Sequence, residues 1–477
     1  MHSTEFEQQL ATIIERKLEG KLLSCKRLSG GASQETYCLE VELADFRKTK
    51  LALRRAPVEL AETEHPERPG IRGEISLIRA AYSAGVPVPH IVLAFEIEDR
   101  LGEGFIMQWL EGETLGARIV RAENLTDIRP KLAYQCGQAL ARIHTIDVHT
   151  SQLDTFLQSV SPEESVNAMC ETYRELESPQ PMIDYTARWL QNNLPEHSGT
   201  ALVHSDFRNG NLMINAEGIC AVLDWELAHL GDPMRDLGWI CTNSWRFGKT
   251  ELAVGGFGER ADLFQGYEDE CGIRPDAAHV KFWEVFGSFW WAIACLGMAR
   301  QNRSALEKSV ERPGIARRTS ECQIDCVNLL IPGPVTIEEP NAVPANSELP
   351  RVDELVASVS EFLRESVMQE TDGRTNFMAR VAANSLDIVQ RDLNIGVLAR
   401  AAEKKRLSHL LDLDANLDEL RWTLVDSIRN EKLELDNTEL IAHLRTTVAN
   451  QVAIDQPRYS GLKTALINKA KNKHNET

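Results

Sequence analysis

"LVHSDFRNGNLMIN", residues 202–215, places a histidine, an aspartate and an asparagine in a short polar loop between two apolar segments that read as strands. His204, Asp206 and Asn211 stand in an H-x-D-x-x-x-x-N spacing. Thirteen residues beyond Asn211, in "ICAVLDWELAHLGDPMRDLGWI", Asp224 follows a short apolar strand. A lone H-x-D is ordinarily a turn held by its own side chains. Two carboxylates and an amide in this order have a chemical reading as well. An aspartate can orient an attacking hydroxyl and accept its proton. An asparagine oxygen and a second carboxylate can hold Mg²⁺, a hard cation that prefers oxygen ligands.

That reading is the arrangement protein kinases use for phosphoryl transfer, where the metal offsets charge on the phosphates as the bond to the leaving group breaks. The sequence also resembles a known family, the aminoglycoside phosphotransferase and choline kinase group. Within it, the likeness is to the kinase-like domains found beside or fused to acyl-CoA dehydrogenases. The segments that carry it are "HSDFRNGNLM", "VLDWELAHLGDPMRDL" and "QALARIHTID", and it extends over roughly residues 10 to 330. The resemblance implies Asp206 as catalytic base and Asn211 and Asp224 as magnesium ligands. It gives His204 and Asp236 the task of bracing the loop. Asp232 followed by Pro233 reads, from the residues themselves, as a helix N-cap and first turn.

The nucleotide side is expected in the first hundred residues. "LSGGASQETY" lies between two candidate strands, where kinases place a small-residue loop over the phosphates. Gly30, Gly31, Ala32 and Ser33 would let backbone N–H groups approach phosphate oxygens, although Gly-Gly by itself also marks a plain hairpin. The strand "KLALRRAP" should supply a cation for the phosphates. It has no lysine in the matching place, which Arg54 occupies. Arginine reaches phosphate through two parallel hydrogen bonds and stays charged, and choline kinase-like proteins also use it. Glu74, in "GIRGEISLIRAAY", is the expected ion-pair partner of Arg54. Adenine is expected to dock against backbone groups from Gln108 to Leu110. ATP and Mg²⁺ are the implied cofactors.

Working outward, 477 residues exceed one ordinary core, so two or three domains are anticipated. The formal net charge of −19 argues against a general nucleic-acid binder, which needs a basic face. No apolar run reads as a membrane span. The first twenty residues read as a polar amphipathic helix without signal-peptide features, and a cytoplasmic location is expected. Ten scattered cysteines have no metal-ligand spacing and read as reduced thiols.

The fold class expected is α+β: a two-lobe protein-kinase-like fold plus an all-α C-terminal domain. Its parts are a nucleotide lobe (1–110), a mainly helical lobe with the catalytic loop (111–331), a proline-rich linker (332–350) and a helical domain (351–477). The linker predicts separately folded units. The last segment resembles an uncharacterised helical domain, and a protein partner or self-association is its expected role. The aromatic run "HVKFWEVFGSFWWAIACLGMAR" has helical spacing at Phe282, Phe286, Phe289 and Trp290, which reads as buried core ahead of an acceptor-pocket wall. The chain is therefore expected to be a small-molecule kinase acting on a hydroxyl, with hydroxyacyl-CoA, amino sugar and amino alcohol as candidate acceptors. The alternative is a nucleotide-binding pseudokinase or scaffold.

Overall fold

The structure is a computed structural model that describes residues 3–28, 34–56, 68–196, 199–305, 308–339 and 350–474. Five antiparallel strands form the first lobe: β1 (Lys21–Arg27), β2 (Glu35–Glu42), β3 (Lys48–Arg55), β4 (Ile91–Ala94) and β5 (Gly104–Gln108), in the order β1-β2-β3-β5-β4. A helix over Ser3–Leu18 precedes them, and its Phe6, Leu10, Ile13 and Ile14 lie at the spacing of one apolar helical face. That face covers Leu39, Val41, Leu53 and Ile106 of the sheet. The helix Gly70–Ser83 instead joins Phe105 to the large core of the second lobe through Ile71, Ile75 and Ile78. Its one buried acid, Glu74, is thereby held against Arg54 of the central strand β3.

The second lobe is built on the helices Leu132–His144, Pro162–Glu175, Pro181–Asn192, Met234–Cys241, Arg260–Cys271 and Ala277–Ser304. Two small antiparallel pairs frame the catalytic segment. These are β6 (Ala201–Val203) with β9 (His229–Gly231), and β7 (Leu212–Asn215) with β8 (Gly218–Val222). The helix Ala277–Ser304 is long and apolar enough to cross a bilayer by composition alone. Its Phe282, Trp283, Phe286 and Phe289 are buried in the core of this lobe.

The expectation of separately folded units on either side of the prolines is corrected by the packing. Met182 and Tyr185 of the second lobe, with Ile324 and Val327 of the helix Thr319–Leu330, share one core with Leu420, Leu424, Leu440 and Leu444 from beyond residue 350. The described part of the proline-rich stretch is itself pinned. Val335 is buried, Glu338 N donates to Asn450 Oδ1 (2.8 Å), and Asn450 Nδ2 donates to Thr336 O (2.7 Å). Partly buried polar contacts cross the same junction: Arg429 Nε to Asp184 Oδ1 (2.6 Å), Tyr185 Oη to Leu435 O (2.9 Å) and Tyr459 Oη to Asp325 Oδ2 (2.6 Å). Composition marks a chain as poor in helix, but it does not say whether that chain lies against a neighbour.

Candidate active site

The segment opening at Val203 leaves β6 as a loop because His204, Ser205 and Asp206 are tied to fixed points around it. Asp236, fully buried, accepts from His204 N (2.8 Å), Ser205 N (2.7 Å) and His144 Nε2 (3.1 Å). Burial alone would raise this carboxyl, but the His144 and backbone donors hold it below the ordinary range. Ser205 takes the left-handed conformation, φ +67°, and the bond from its amide to Asp236 helps hold that strained turn. His204 accepts from Asp206 N at Nδ1 (3.2 Å), so Nε2 carries the hydrogen and donates to Leu223 O (3.0 Å). Burial lowers its pKa, so it sits there as neutral imidazole.

These ties aim Asp206 at the space between the lobes. Its Oδ1 accepts from Trp239 Nε1 (3.0 Å) and Arg208 Nε (2.8 Å), and its Oδ2 accepts from Asn211 Nδ2 (2.6 Å). Arg208 also lies over the Trp245 ring, 4.5 Å from its centroid. Because the Asn211 amide nitrogen faces Asp206, the amide oxygen turns away from it. Asn211 O accepts from Leu223 N (2.8 Å), which locks the loop to the residue before Asp224. Asp224 is also left-handed, φ +66°. Ser205 and Asp224, two non-glycine residues on either side of the β7–β8 pair, thus both carry strained left-handed backbone at this site.

The first lobe meets the loop at Arg54. Its Nη2 donates to Asp224 Oδ1 (2.7 Å), and its Nε donates to Glu74 Oε2 (3.1 Å) and to Gln34 Oε1. Residues 170 apart in sequence are thus in direct contact. Glu74 is 2% exposed. Burial, with the charges of Asp224 and Glu226 adding to it, pushes its carboxyl up to about 7 against the pull of Arg54. Burial also opposes the charge on Arg54, but Glu74 and Asp224 outweigh it and hold its pKa above the usual value. Arg55 points to the other face of β3, where it pairs with Glu35 (2.7 Å) and stacks on Phe6 (4.1 Å).

Gly30, Gly31, Ala32 and Ser33 lie outside the described residues. Gln108 ends β5, and its N–H donates to His90 O (2.9 Å). That N–H is therefore engaged within the sheet, and any base reading at Gln108 falls to its carbonyl. Leu110 follows in irregular chain, outside the strand's ladder. For a metal, the described residues hold no cluster of three or more His, Cys, Asp or Glu placed to bind one. The donor set is the Asn211 amide and the Asp224 carboxylate. Two oxygen donors suit Mg²⁺, which takes most of its ligands from phosphate and water.

A cavity of about 550 Å³ is lined by Ser205, the residue before Asp206, and by Trp239, whose indole donates to Asp206; Asp206 itself is not part of the lining. Trp283, Phe286 and Trp290 form its aromatic wall. The aromatic run is therefore both core and cavity wall: one face of the Ala277–Ser304 helix packs inward while Trp290 borders the opening. Arg235 also lines this cavity. None of the described residues beyond 350 reaches it. Sequence reasoning overlooked Arg208, Trp239 and Arg235. Each lies inside a segment singled out above, but arginine and tryptophan at single positions carry no spacing signal.

The protein-family description "Phosphotransferase enzyme family" matches residues 24–272, just over half of the chain. A domain of unknown function matches residues 369–459. The chain is 33% identical over 220 residues to acyl-CoA dehydrogenase family member 10 of Mus musculus, 44% of this chain but 19% of that protein. It is 29% identical over 248 residues to acyl-CoA dehydrogenase family member 11 of Gallus gallus, 50% of this chain and 30% of that protein. The match thus spans less than a third of either relative's own length. A solved structure assigned to the aminoglycoside phosphotransferases, from Ralstonia eutropha JMP134, superposes with a TM-score of 0.55 at 21% identity, covering 68% of this chain and 97% of that one.

Proposed function

The chain belongs to the phosphotransferase enzyme family, and on that premise we propose that it transfers the γ-phosphoryl group of ATP, with Mg²⁺, to the hydroxyl of a small molecule. The observation that carries this reading is the convergence of Arg54, Glu74, Asp206, Asn211 and Asp224 from both lobes on one cleft. A scaffold that merely bound nucleotide would need no carboxylate held by three donors beside a cavity large enough for an acceptor.

Each residue then has a task. Asp206 orients the acceptor hydroxyl and takes its proton as the new P–O bond forms and the bond to the ADP oxygen breaks. Asn211 and Asp224 would hold Mg²⁺, which supplies charge stabilisation at the phosphates when bound. Arg54, seated by Glu74, presents a charged fork to phosphate oxygens. It shares Asp224 with the metal position, so nucleotide and metal binding should loosen the Arg54–Asp224 pair. Arg208, within reach of Asp206, adds positive charge at the point of transfer.

Among candidate acceptors, a hydroxylated acyl-CoA fits best. The named relatives are acyl-CoA dehydrogenase family members, and the cavity has an aromatic wall. The test is a coupled assay of ATP consumption with a hydroxyacyl-CoA, an amino sugar and an amino alcohol, with and without Mg²⁺. Turnover with the first, lost without metal and in Asp206→Asn, is expected. No turnover with any acceptor, together with equal ATP affinity with and without Mg²⁺, returns the chain to the scaffold reading.

A further inference from the structure

The charges around the catalytic cavity are nearly all satisfied within the protein. Glu164 closes a helix cap, accepting from Ser161 N and Ser161 Oγ (2.8 Å each). Arg68 pairs with Glu226 at 3.5 Å. The two acids nearest Arg235 are engaged elsewhere: Asp232 accepts from Trp283 Nε1 (2.8 Å) and Met234 N (3.0 Å), and Asp236 holds the catalytic loop. Arg235 is different. Its side chain is partly buried against the rings of Trp283 (5.4 Å) and Phe286 (5.2 Å), and Nη1 donates to Ser165 Oγ (3.1 Å). No ion pair to it is found among the described residues.

A guanidinium has five N–H donors in a planar fork, and among the described residues Arg235, which lines the cavity, makes one side-chain hydrogen bond, to Ser165. Holding a charge out of water without an anionic partner is costly. The cost is visible in its pKa, which burial lowers to about 10 despite Asp232 and Asp236. A cation held in this way on the wall beside the catalytic carboxylate repels ammonium groups and attracts an oxygen acceptor.

We propose that Arg235 anchors the acceptor through a carboxylate or acyl carbonyl oxygen, holding the hydroxyl end of the molecule toward Asp206 and selecting against cationic alcohols. This rests on the kinase reading above and adds to it a residue that sets specificity. The free acid and the thioester share the carbonyl oxygen that Arg235 would grip, and the two probes below separate them.

Calorimetry on the full chain, without nucleotide, measures the affinity of hydroxybutyryl-CoA, free hydroxybutyrate and ethanolamine. The wild-type protein is expected to bind at least one of the first two and to favour it over ethanolamine. Arg235→Gln should weaken that binding tenfold or more while ATP affinity changes less than twofold. Arg235→Lys should lie between the two, because charge without the planar fork recovers part of the grip. Ser165→Ala, which releases the fork without removing it, should raise acceptor KM severalfold and leave kcat and the KM for ATP in place. Loss confined to the CoA ester identifies the thioester carbonyl as the group held, and loss confined to the acid identifies the carboxylate. If Arg235→Gln does not fold, the Lys and Ala variants carry the test. The proposal is overturned if neither hydroxyacyl probe binds the wild type, if the variants bind them as tightly as wild type, or if ethanolamine is preferred. Failure of the kinase reading looks different: ATP affinity would ignore Mg²⁺ and Asp224, whatever Arg235 does.

Discussion

Arg54 and Arg55 are adjacent on one strand, yet they face different chemistry. Alternation along β3 sends the first to Glu74 and Asp224 and the second to Glu35 and Phe6. Arg54→Ala should therefore raise the KM for ATP by roughly 10- to 100-fold, the equivalent of a charge-assisted hydrogen bond or two, with acceptor KM nearly constant. Arg55→Ala should spare nucleotide kinetics and lower the melting temperature instead. Steady-state kinetics on the two variants checks this, and the opposite pattern would mean the strand is out of register by one residue. Glu74 gives a pH signature. Its carboxyl titrates near 7 in the folded protein against 4.5 ordinarily, so between these values the folded state holds a proton that the unfolded state has released. Stability from this group is then fully present below about pH 4.5 and falls as pH rises through 7. Glu74→Gln, which mimics the protonated form, should flatten the denaturation midpoint between pH 5 and 8. An unchanged slope would show that Arg54 keeps Glu74 ionised throughout.

The catalytic loop works as an element because one buried carboxylate satisfies three donors from two parts of the chain. Asp236→Asn exchanges an acceptor oxygen for an NH₂ group that faces N–H donors. The expected result is destabilisation on the order of 2–4 kcal/mol, from one unmade bond and one opposed pair. It should also lower kcat by about a hundredfold through misplacement of Asp206, with ATP affinity nearly intact. Urea denaturation and single-turnover kinetics together test this, and a stable variant with unchanged kcat would remove Asp236 from the brace. The loop was legible in the sequence because its residues are close together: His204, Asp206 and Asn211 span eight positions, and short-range spacing survives in a string. Trp239 and His144 were not legible in these roles. Their bonds to Asp206 and Asp236 close over 33 and 92 residues, and nothing in the order of residues records a contact at that distance.

Across the whole molecule, the helices after the prolines share a second core with Met182, Tyr185, Ile324 and Val327, apart from the large core of the second lobe. Ending the chain near Pro340 would uncover Met182, Tyr185, Ile324 and Val327 and leave Asp184 without Arg429. A large uncovered apolar face of this kind favours aggregation. The truncated chain is expected to be insoluble or to melt well below the full chain, as followed by soluble yield and thermal unfolding. A soluble, monomeric, active truncation would show that the shared core is not needed.

Sequence by itself determined the strands of the first lobe and the spacing of His204, Asp206, Asn211 and Asp224, because alternation and loop spacing are local properties that depend on little else. The two-lobe layout and the places of Arg54 and Glu74 came from the family resemblance that those motifs carry. Tertiary structure alone decided that Arg54 meets Asp224, that Gln108 has no free amide, that one helix serves both core and cavity, and that the proline-rich segment is held against its neighbour. Those outcomes depend on which buried groups find partners across the fold. The same arginine is solvated, paired or left facing a cavity according to what chain packing brings beside it.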